Sequence, residues 1–485
     1  MYGWRILEMR YLFLLIALSL SSILAQEPSR ILLAGAATSN ITPSIGGAIV
    51  GGFSPFPSTH IHDDLHARCL VLDNGEKRLA IVVCDLLGGA RQMFDEAARL
   101  IQVKTGIPRE CVLMSATHTH SASSALSENR YSLDEPLSDY QTFVAGRIAD
   151  GVTRAVNNLA PARIGWAVGH EPDQVFNRRW FMKEGTVPPN PFGGIDQVKM
   201  NPPRGANLVK PAGPTDPEVA VISLQTLEGK PLAVLANYSL HYVGDVGPGH
   251  ISADYFAVFC ERLQQLLGAD RQEVPFVAML SNGTSGNINN NDYSKPAAKA
   301  GPPYSKIRAV ADEVAQAAFE AMKGITYQTW VPLDSRFSEL RLEARRPTAE
   351  QLARAEAIVT KPRVLGGKNL LEVVYAERTL KLRDVAPHID LPLQTLRIGE
   401  AGICAIPCET FVETGLEIKV KSPFKPSFTH SIAGGYYGYL PTPEHHQLGG
   451  YETWLGTNRI EVQASTKITA RLLEMLQSMK SSSLH

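Results

Sequence analysis

A strand, a helix and a second strand in close succession constrain this chain more than any other feature. Residues 67–72 and 79–83 are apolar runs on either side of Asp73-Asn74-Gly75, a hairpin signal because both central residues of a type I′ turn need positive φ. Apolar residues then recur at helical spacing through 90–103 (Met93, Ala97, Leu100, Ile101), and 111–116 returns to strand. Strands joined through a helix run parallel in one sheet, because the crossover carries the chain back to its starting edge. The expected class is therefore α/β.

The chain opens on an expected strand over 31–37, and the alternation continues beyond 116. An amphipathic helix is expected over 139–159, with Phe143, Ile148, Val152 and Ala155 on its buried stripe. The stretch 171–214 is rich in Pro, Gly, Asn and Arg without a sustained period; it reads as a long loop, and such loops in compact domains tend to be functional. A second hairpin spans 219–224 and 232–238 around Glu228-Gly229, followed by a helix over 253–267 and a strand over 274–280. Further helices are expected at 304–322, 348–359, 369–382, 409–420 and 462–479, with strands at 389–398, 402–406 and 428–433. No internal repeat or linker divides the chain. The expected architecture is a mixed, largely parallel sheet or sheets flanked by helices, with β-hairpins, in one domain over 26–485; the more polar region 345–385 forms a peripheral helical insertion.

Bulk composition narrows the partners. Of 485 residues, 44% are hydrophobic and 20% charged, and the net charge is −1, so the chain lacks the basic footprint that nucleic acid or anionic membrane requires. Arg5 and Arg10, the apolar run 11–20 and Ala25 read as a cleavable signal peptide over 1–25. Export to a periplasmic or secreted location is expected, with no stable membrane span after cleavage. Six cysteines sit mostly inside apolar runs, which suits buried thiols better than a disulfide framework.

The unusual polar residues share one address. His118 and His120 follow the strand 111–116, His241 follows 232–238, an Asn/Gly-rich loop through Asn287 and Asn289 follows 274–280, Glu409 follows 402–406, and Tyr439 follows 428–433. Ligands and catalytic groups collect past the carboxyl ends of strands, where loops vary on a rigid base. Imidazoles, a carboxylate and a phenol there give a zinc ion four N/O ligands, or three with a displaceable fourth. Singly, each residue also fits a bland role: a satisfied core histidine, a helix N-terminal acid, an aromatic in a wall.

The ordered set Ala116-Thr117-His118-Thr119-His120-Ser121, Asn177-Arg178, Asn237 to His241 with Ile251-Ser252-Ala253-Asp254, Asn282-Gly283 to Asn289, Pro407-Cys408-Glu409-Thr410, and Tyr439-Leu440-Pro441-Thr442-Pro443-Glu444 with Tyr451-Glu452 resembles the catalytic domain of the neutral/alkaline non-lysosomal ceramidases. The resemblance implies a zinc amidase. His118, His241, Glu409 and Tyr439 match the family's ligands to one zinc ion, and the choice between His118 and His120 as direct ligand stays open. His120 (proton transfer), Tyr451 and Arg178 (oxyanion stabilisation) are the implied catalytic residues; Asn289, Asn287 and Arg179 are candidate substrate contacts. Metal-activated water would attack the amide carbonyl.

Two departures matter. Asparagine 289 stands where the family has a serine, and the chain ends soon after its last helix, whereas the ceramidases carry a further C-terminal β-sandwich. The expected activity is therefore cleavage of an N-acylated small molecule, lipid or sugar-like. A true ceramidase acting on N-acylsphingosine and a metal-retaining binding protein without turnover are the alternatives.

Overall fold

The computed structural model describes residues 30–52, 55–123, 125–126, 135–269, 272–297, 299, 301–361 and 370–481; the expected signal peptide lies outside them. Twelve strands and eight helices carry the architecture. They are β1 (Leu32–Asn40), β2 (His66–Asp73), β3 (Arg78–Cys84), α1 (Arg91–Thr105), β4 (Val112–Ala116), α2 (Asp139–Asn157), β5 (Ala160–His170), β6 (Glu218–Thr226), β7 (Pro231–Tyr238), α3 (Asp254–Leu266), β8 (Val277–Asn282), α4 (Ser305–Met322), β9 (Leu333–Glu343), α5 (Ala349–Val359), α6 (Leu370–Lys381), β10 (His388–Ile398), β11 (Ala401–Ile406), α7 (Val412–Lys421), β12 (Ser427–Ser431) and α8 (Ala464–Ser481).

One plan occurs three times. β1 pairs antiparallel with β2, β2 with β3, and β3 runs parallel to β4 through α1. The same pairings join β6, β7 and β8 through α3, with β5 beside β6, and β9 to β12 through α7. A helix follows the fourth strand each time: α2, α4 and α8. The first two units join edge to edge through β1 and β5 into an eight-stranded sheet ordered β8-β7-β6-β5-β1-β2-β3-β4, and the third forms its own four-stranded sheet. This corrects the expectation of no internal repeat. The repetition is one of topology, and no sequence period records it.

The mixed α/β class holds, but parallel pairing is confined to sheet edges, so the parallel share is smaller than expected. The physical reason lies in the hairpins. Each joins the second and third strands of a unit in antiparallel fashion, and only the crossover helix that follows adds a parallel neighbour. The first hairpin also departs from a two-residue turn: Asp73 pairs with Arg78, and of the turn residues only Gly75 has positive φ, at 83°. The Asn74 side-chain oxygen accepts from Glu76 N (3.0 Å) and Lys77 N (2.8 Å) instead, and its Nδ2 donates to Val331 O at 3.1 Å, tying the turn to the third unit.

Two strands were not expected from the sequence. β5 carries Gly165 and Gly169 among its apolar residues, and Gly169 is a place where a Cβ would lie 2.5 Å from Ala317 O, so the helix α4 packs on bare backbone there. β9 is a sheet-edge strand with one solvated face. The long stretch 171–214 folds in part as a small antiparallel sheet of Val198–Met200, Arg179–Met182 and Leu208–Pro211.

Packing brings the three units together. Their fourth strands, β4, β8 and β12, contact one another, and the main core fills the space between the sheets with residues such as Met114, Met279, Ile403 and Phe428. Helices α3 and α4 cover the outer face of the second unit, and α7 and α8 that of the third. The seam is stitched by Gly434 N to Met114 O (2.9 Å) and Ala116 N to Ile432 O (3.1 Å). Asn237 Nδ2 adds a bond to Thr429 O at 3.1 Å, and Asn282 Nδ2 one to Thr117 O at 2.9 Å. Helices α5 and α6 pack on each other through a small cluster of their own. All six cysteines are buried and unbridged, and among the described residues no helix is long and apolar enough to cross a membrane.

His430 lies on this seam, fully buried, its Nδ1 3.0 Å from Ser115 Oγ. Burial pushes its pKa down to about 3, so between there and the ordinary value near 6.5 the unfolded chain binds a proton that the folded chain does not. Stability is then full above about pH 6.5 and falls as the pH drops toward 3. We expect urea unfolding of His430→Gln to lose less stability than wild type over that window, by about 1.4 kcal/mol per pH unit; parallel pH slopes would show that His430 is not the linked group.

Candidate metal centre

The junction of the three units gathers the polar residues. Each first partner is backbone. His118 ends β4 with a left-handed conformation (φ 70°), rare for a side chain of this size and a form of strain that clusters at functional sites. Its Nδ1 lies 2.6 Å from Leu87 O. His241 Nδ1 lies 3.1 Å from Ser285 O. A carbonyl oxygen only accepts, so both Nδ1 atoms carry the proton and both Nε2 atoms present lone pairs.

Those lone pairs converge. His118 Nε2 is 3.2 Å from Glu409 Oε2 and 3.2 Å from His120 Nε2, and His241 Nε2 is 3.7 Å from the same Glu409 oxygen. One ligand atom from each of His118, His120 and His241 lies within 4.8 Å of the others. Glu409 Oε1 accepts from the Tyr436 hydroxyl at 2.6 Å, which leaves Oε2 for the centre. His241 Nε2 and Glu409 Oε2 have no hydrogen-bond partner although both are buried. Acceptors facing acceptors with nothing between them is a costly arrangement, and a cation at their common point removes the cost.

Charge states agree. Burial and then the neighbouring His118 hold the pKa values of His120 and His241 well below the ordinary histidine value, so both imidazoles are neutral and available as ligands. Burial opposes a charge on Glu409, but His118, His241 and the Tyr436 hydroxyl outweigh it and keep the carboxyl well below its usual range. The donor set of neutral imidazoles plus a carboxylate is one that zinc accepts.

Around this centre sits a second layer. Arg178 donates through Nη2 to Tyr439 Oη (3.0 Å) and Gly286 O (2.8 Å), and through Nε to Glu452 Oε1 (3.0 Å). Tyr451 packs edge-on to Tyr439, ring centres 5.7 Å apart, and burial raises the pKa of both phenols. His120 stacks on Tyr242 at 3.7 Å. Thr119 Oγ1 donates to Ser252 O (2.8 Å), and Ser252 N to Ser121 O (2.8 Å), fixing the His-Thr-His loop from the side of the 251–254 motif.

The structure thus brings His118, His120, His241, Glu409, Tyr439, Tyr451 and Arg178 to one place. It gives two residues other partners. The Asn287 side chain is fully buried, accepts from Val412 N at 2.9 Å at the start of α7 and donates to Glu413 Oε2 at 2.9 Å. Arg179 is fully buried, donating to Glu452 Oε2 and Gly449 O, both at 2.6 Å. Both support the site from behind, a correction to their reading as substrate contacts: the Asn287 amide and the two terminal nitrogens of Arg179 are engaged by carboxylates and backbone, and only the buried Arg179 Nε has no partner. Asn289 remains near the site, its Nδ2 bonded to Asn201 Oδ1 (2.9 Å) and Tyr293 Oη (3.1 Å).

Sequence reasoning missed Tyr436, Glu452, Asn201 and Tyr293. Tyr436 was visible only as one aromatic in the run Gly434 to Tyr439, and Glu452 only as the neighbour of Tyr451. Nothing in the sequence ties Asn201 to the centre, since its partners come from a separate segment, and Tyr293 was visible only as an aromatic four residues past Asn289.

No family model matches the chain. Two solved structures share its fold. A ceramidase complexed with C2 has a TM-score of 0.69 at 17% identity, the match covering 94% of this chain and 76% of that one. The neutral ceramidase from Pseudomonas aeruginosa has a TM-score of 0.67 at 17% identity, with coverage of 94% and 75%. The fold is ceramidase-like, as the ordered motifs imply.

Beside His118, His241 and Glu409, the His120 imidazole and the Tyr439 phenol are the two groups that could complete a four-ligand set. We expect His241→Ala to abolish stoichiometric metal binding, measured by elemental analysis of purified protein with circular dichroism as a control for folding. Titration of His120→Ala and Tyr439→Phe with zinc separates the remaining pair: the ligand is the one whose loss weakens affinity more. Full metal occupancy in His241→Ala would remove that residue from the set.

Proposed function

We propose that this chain is an exported zinc-dependent hydrolase that cleaves the amide bond of an N-acylated small molecule. The observation that supports it best is the set of opposed acceptor atoms from His118, His241 and Glu409, buried at a junction of three strand ends and suited to a cation. Zinc held there would supply a Lewis acid for the amide carbonyl and lower the pKa of water. The rest is the work of the chain's own residues.

Tyr451 keeps its proton, and its hydroxyl is a donor for the oxyanion that develops on the carbonyl. Arg178 holds the Tyr439 oxygen by a charged hydrogen bond and supplies a fixed positive field beside it; preorganised donors of this kind contribute most where water is excluded. Glu452, shared between Arg178 and Arg179, keeps both guanidinium groups in place. His120, half-buried and neutral, can take a proton at Nε2 and pass it to the leaving amine.

Water is the nucleophile in this reading. Asn289 occupies the position of the family serine and has no nucleophilic oxygen. Ser285 donates to Asn282 Oδ1 at 2.7 Å and lies 3.4 Å from His241 Nδ1, so it belongs to the frame of His241. The ceramidase likeness of the fold favours a lipid amide as a second reading of the substrate. Export is proposed from residues 1–25 alone.

We expect dialysis against a chelator to abolish amide hydrolysis and one equivalent of zinc to restore it, assayed by released amine across N-acyl lipids, N-acyl amino acids and N-acyl sugars. Arg178→Lys should lower kcat about 100-fold, whereas Ser285→Ala should retain most activity. Activity lost in Ser285→Ala with zinc still bound would overturn the water mechanism, and activity indifferent to chelation would overturn zinc dependence.

A further inference from the structure

Beside the metal centre, three side chains from two distant segments close a triangle. Asn289 Nδ2 donates to Asn201 Oδ1 (2.9 Å) and to Tyr293 Oη (3.1 Å), and Tyr293 Oη donates to Asn201 Oδ1 at 2.9 Å. Asn289 Oδ1 is engaged by Asn291 N at 3.0 Å. With two donors on its oxygen, the Asn201 amide has only one orientation, and its NH2 edge points away from the triangle. That edge has no partner among the described residues, and Asn201 is exposed.

The backbone supports the same point. Asn201 has φ of 47°, a left-handed conformation that asparagine tolerates better than most residues. Its N–H donates to Arg178 O at 2.8 Å, and Asn289 pairs with Phe176 in a short ladder two residues from Arg178. The triangle is therefore joined directly to the residue that holds Tyr439. Arg204 lies over the Tyr293 ring, 5.2 Å from its centre, donating through Nη1 to the carbonyls of Asp292 and Lys295. Lys306 Nζ donates to Asn290 O at 2.9 Å. Of the carboxylates on this side, Asp292 is turned to Lys295 Nζ at 3.2 Å and to the Ser294 hydroxyl, and Asp245 accepts from Lys306 N at 3.1 Å.

The open Asn201 amide edge thus has a guanidinium close by, over the ring of the tyrosine that holds it. An alcohol could use the Asn201 donor but gains nothing from the guanidinium, whereas a carboxylate is acceptor-only, negative and matched to both. We propose that Asn201, held by Asn289 and Tyr293 and backed by Arg204, forms a subsite for the carboxylate of an N-acyl amino acid. Hydrolysis would add water across the amide and release a fatty or other carboxylic acid and a free amino acid. This inference rests on the hydrolase reading above and names its substrate class.

The test compares two amides of one acyl chain, N-dodecanoylglycine and the neutral N-dodecanoylethanolamine, on zinc-loaded wild type, Asn201→Gly and Tyr293→Phe. Glycine keeps the left-handed backbone and phenylalanine keeps the ring under Arg204. We expect wild type to prefer the anionic amide by about tenfold or more in kcat/KM, and both variants to lose most of that ratio, chiefly through KM. A wild-type ratio near one, or variants with the wild-type ratio, overturns the subsite while leaving hydrolysis intact. Should neither amide be cleaved, the hydrolase reading fails, and calorimetric binding of N-dodecanoylglycine to metal-free protein decides the subsite alone: tighter binding to wild type than to both variants supports it, and equal binding overturns it.

Discussion

The hydrogen bond from His118 Nδ1 to Leu87 O, 2.6 Å long, sets the conditions for everything else at the centre. It fixes the tautomer, turns the Nε2 lone pair toward Glu409 and His120, and anchors a histidine whose backbone is already in a strained conformation. Leu87 lies just past β3 and His118 just past the parallel strand β4, so the bond spans two neighbouring strand ends of one unit. His241 repeats the device in the second unit through Ser285 O. Outer partners of this kind orient metal-binding imidazoles and raise their basicity. The third unit contributes the carboxylate, held by Tyr436, which follows β12.

A three-part fold explains why the donors can come from such distant points in sequence. Each unit ends its third and fourth strands as parallel neighbours, and these ends are the places where a chain can leave the sheet without disturbing its hydrogen bonds. When β4, β8 and β12 pack together, six strand ends crowd one spot. The donors are divided among the units: the first offers two imidazoles, the second one imidazole, the third a carboxylate and the phenols of Tyr436, Tyr439 and Tyr451. The buried seam residues, Asn237 and Asn282 among them, bond across units, so the geometry of the centre is set by the packing of the core and not by the loops alone.

Much of this was legible in the sequence, and the failures have identifiable causes. The hairpins and crossover helices show as changes of hydrophobic period, and every metal-centre donor could be found as a polar residue just beyond an apolar strand. The repeat could not. β5 and β9, the first strands of the second and third units, carry glycines where a helix packs close or alternate with charged residues at a sheet edge, and without them the three plans do not look alike. Arg179 and Asn287 look like substrate contacts in sequence because they are polar and adjacent to site residues; only the fold shows that they are turned to Glu452, Glu413 and the start of α7. Adjacency in sequence places a residue near a site but does not say which way it faces.

Asn289, which stands where the resemblance implies a serine, takes on a different meaning under the proposed function. A serine hydroxyl at that position could turn toward the metal centre, whereas the asparagine amide is drawn sideways into bonds with Asn201 and Tyr293, on segments that the motifs of the resemblance do not include. The change therefore moves the polar function of this loop from the reacting carbonyl toward the substrate's periphery. Under the proposed hydrolase function, chemistry then falls to a bound ion and its neighbouring phenols, and the loop is free to discriminate among substrates. A site divided in this way keeps its catalytic frame, built from buried strand ends, independent of its recognition surface, built from the exposed Asn201 turn.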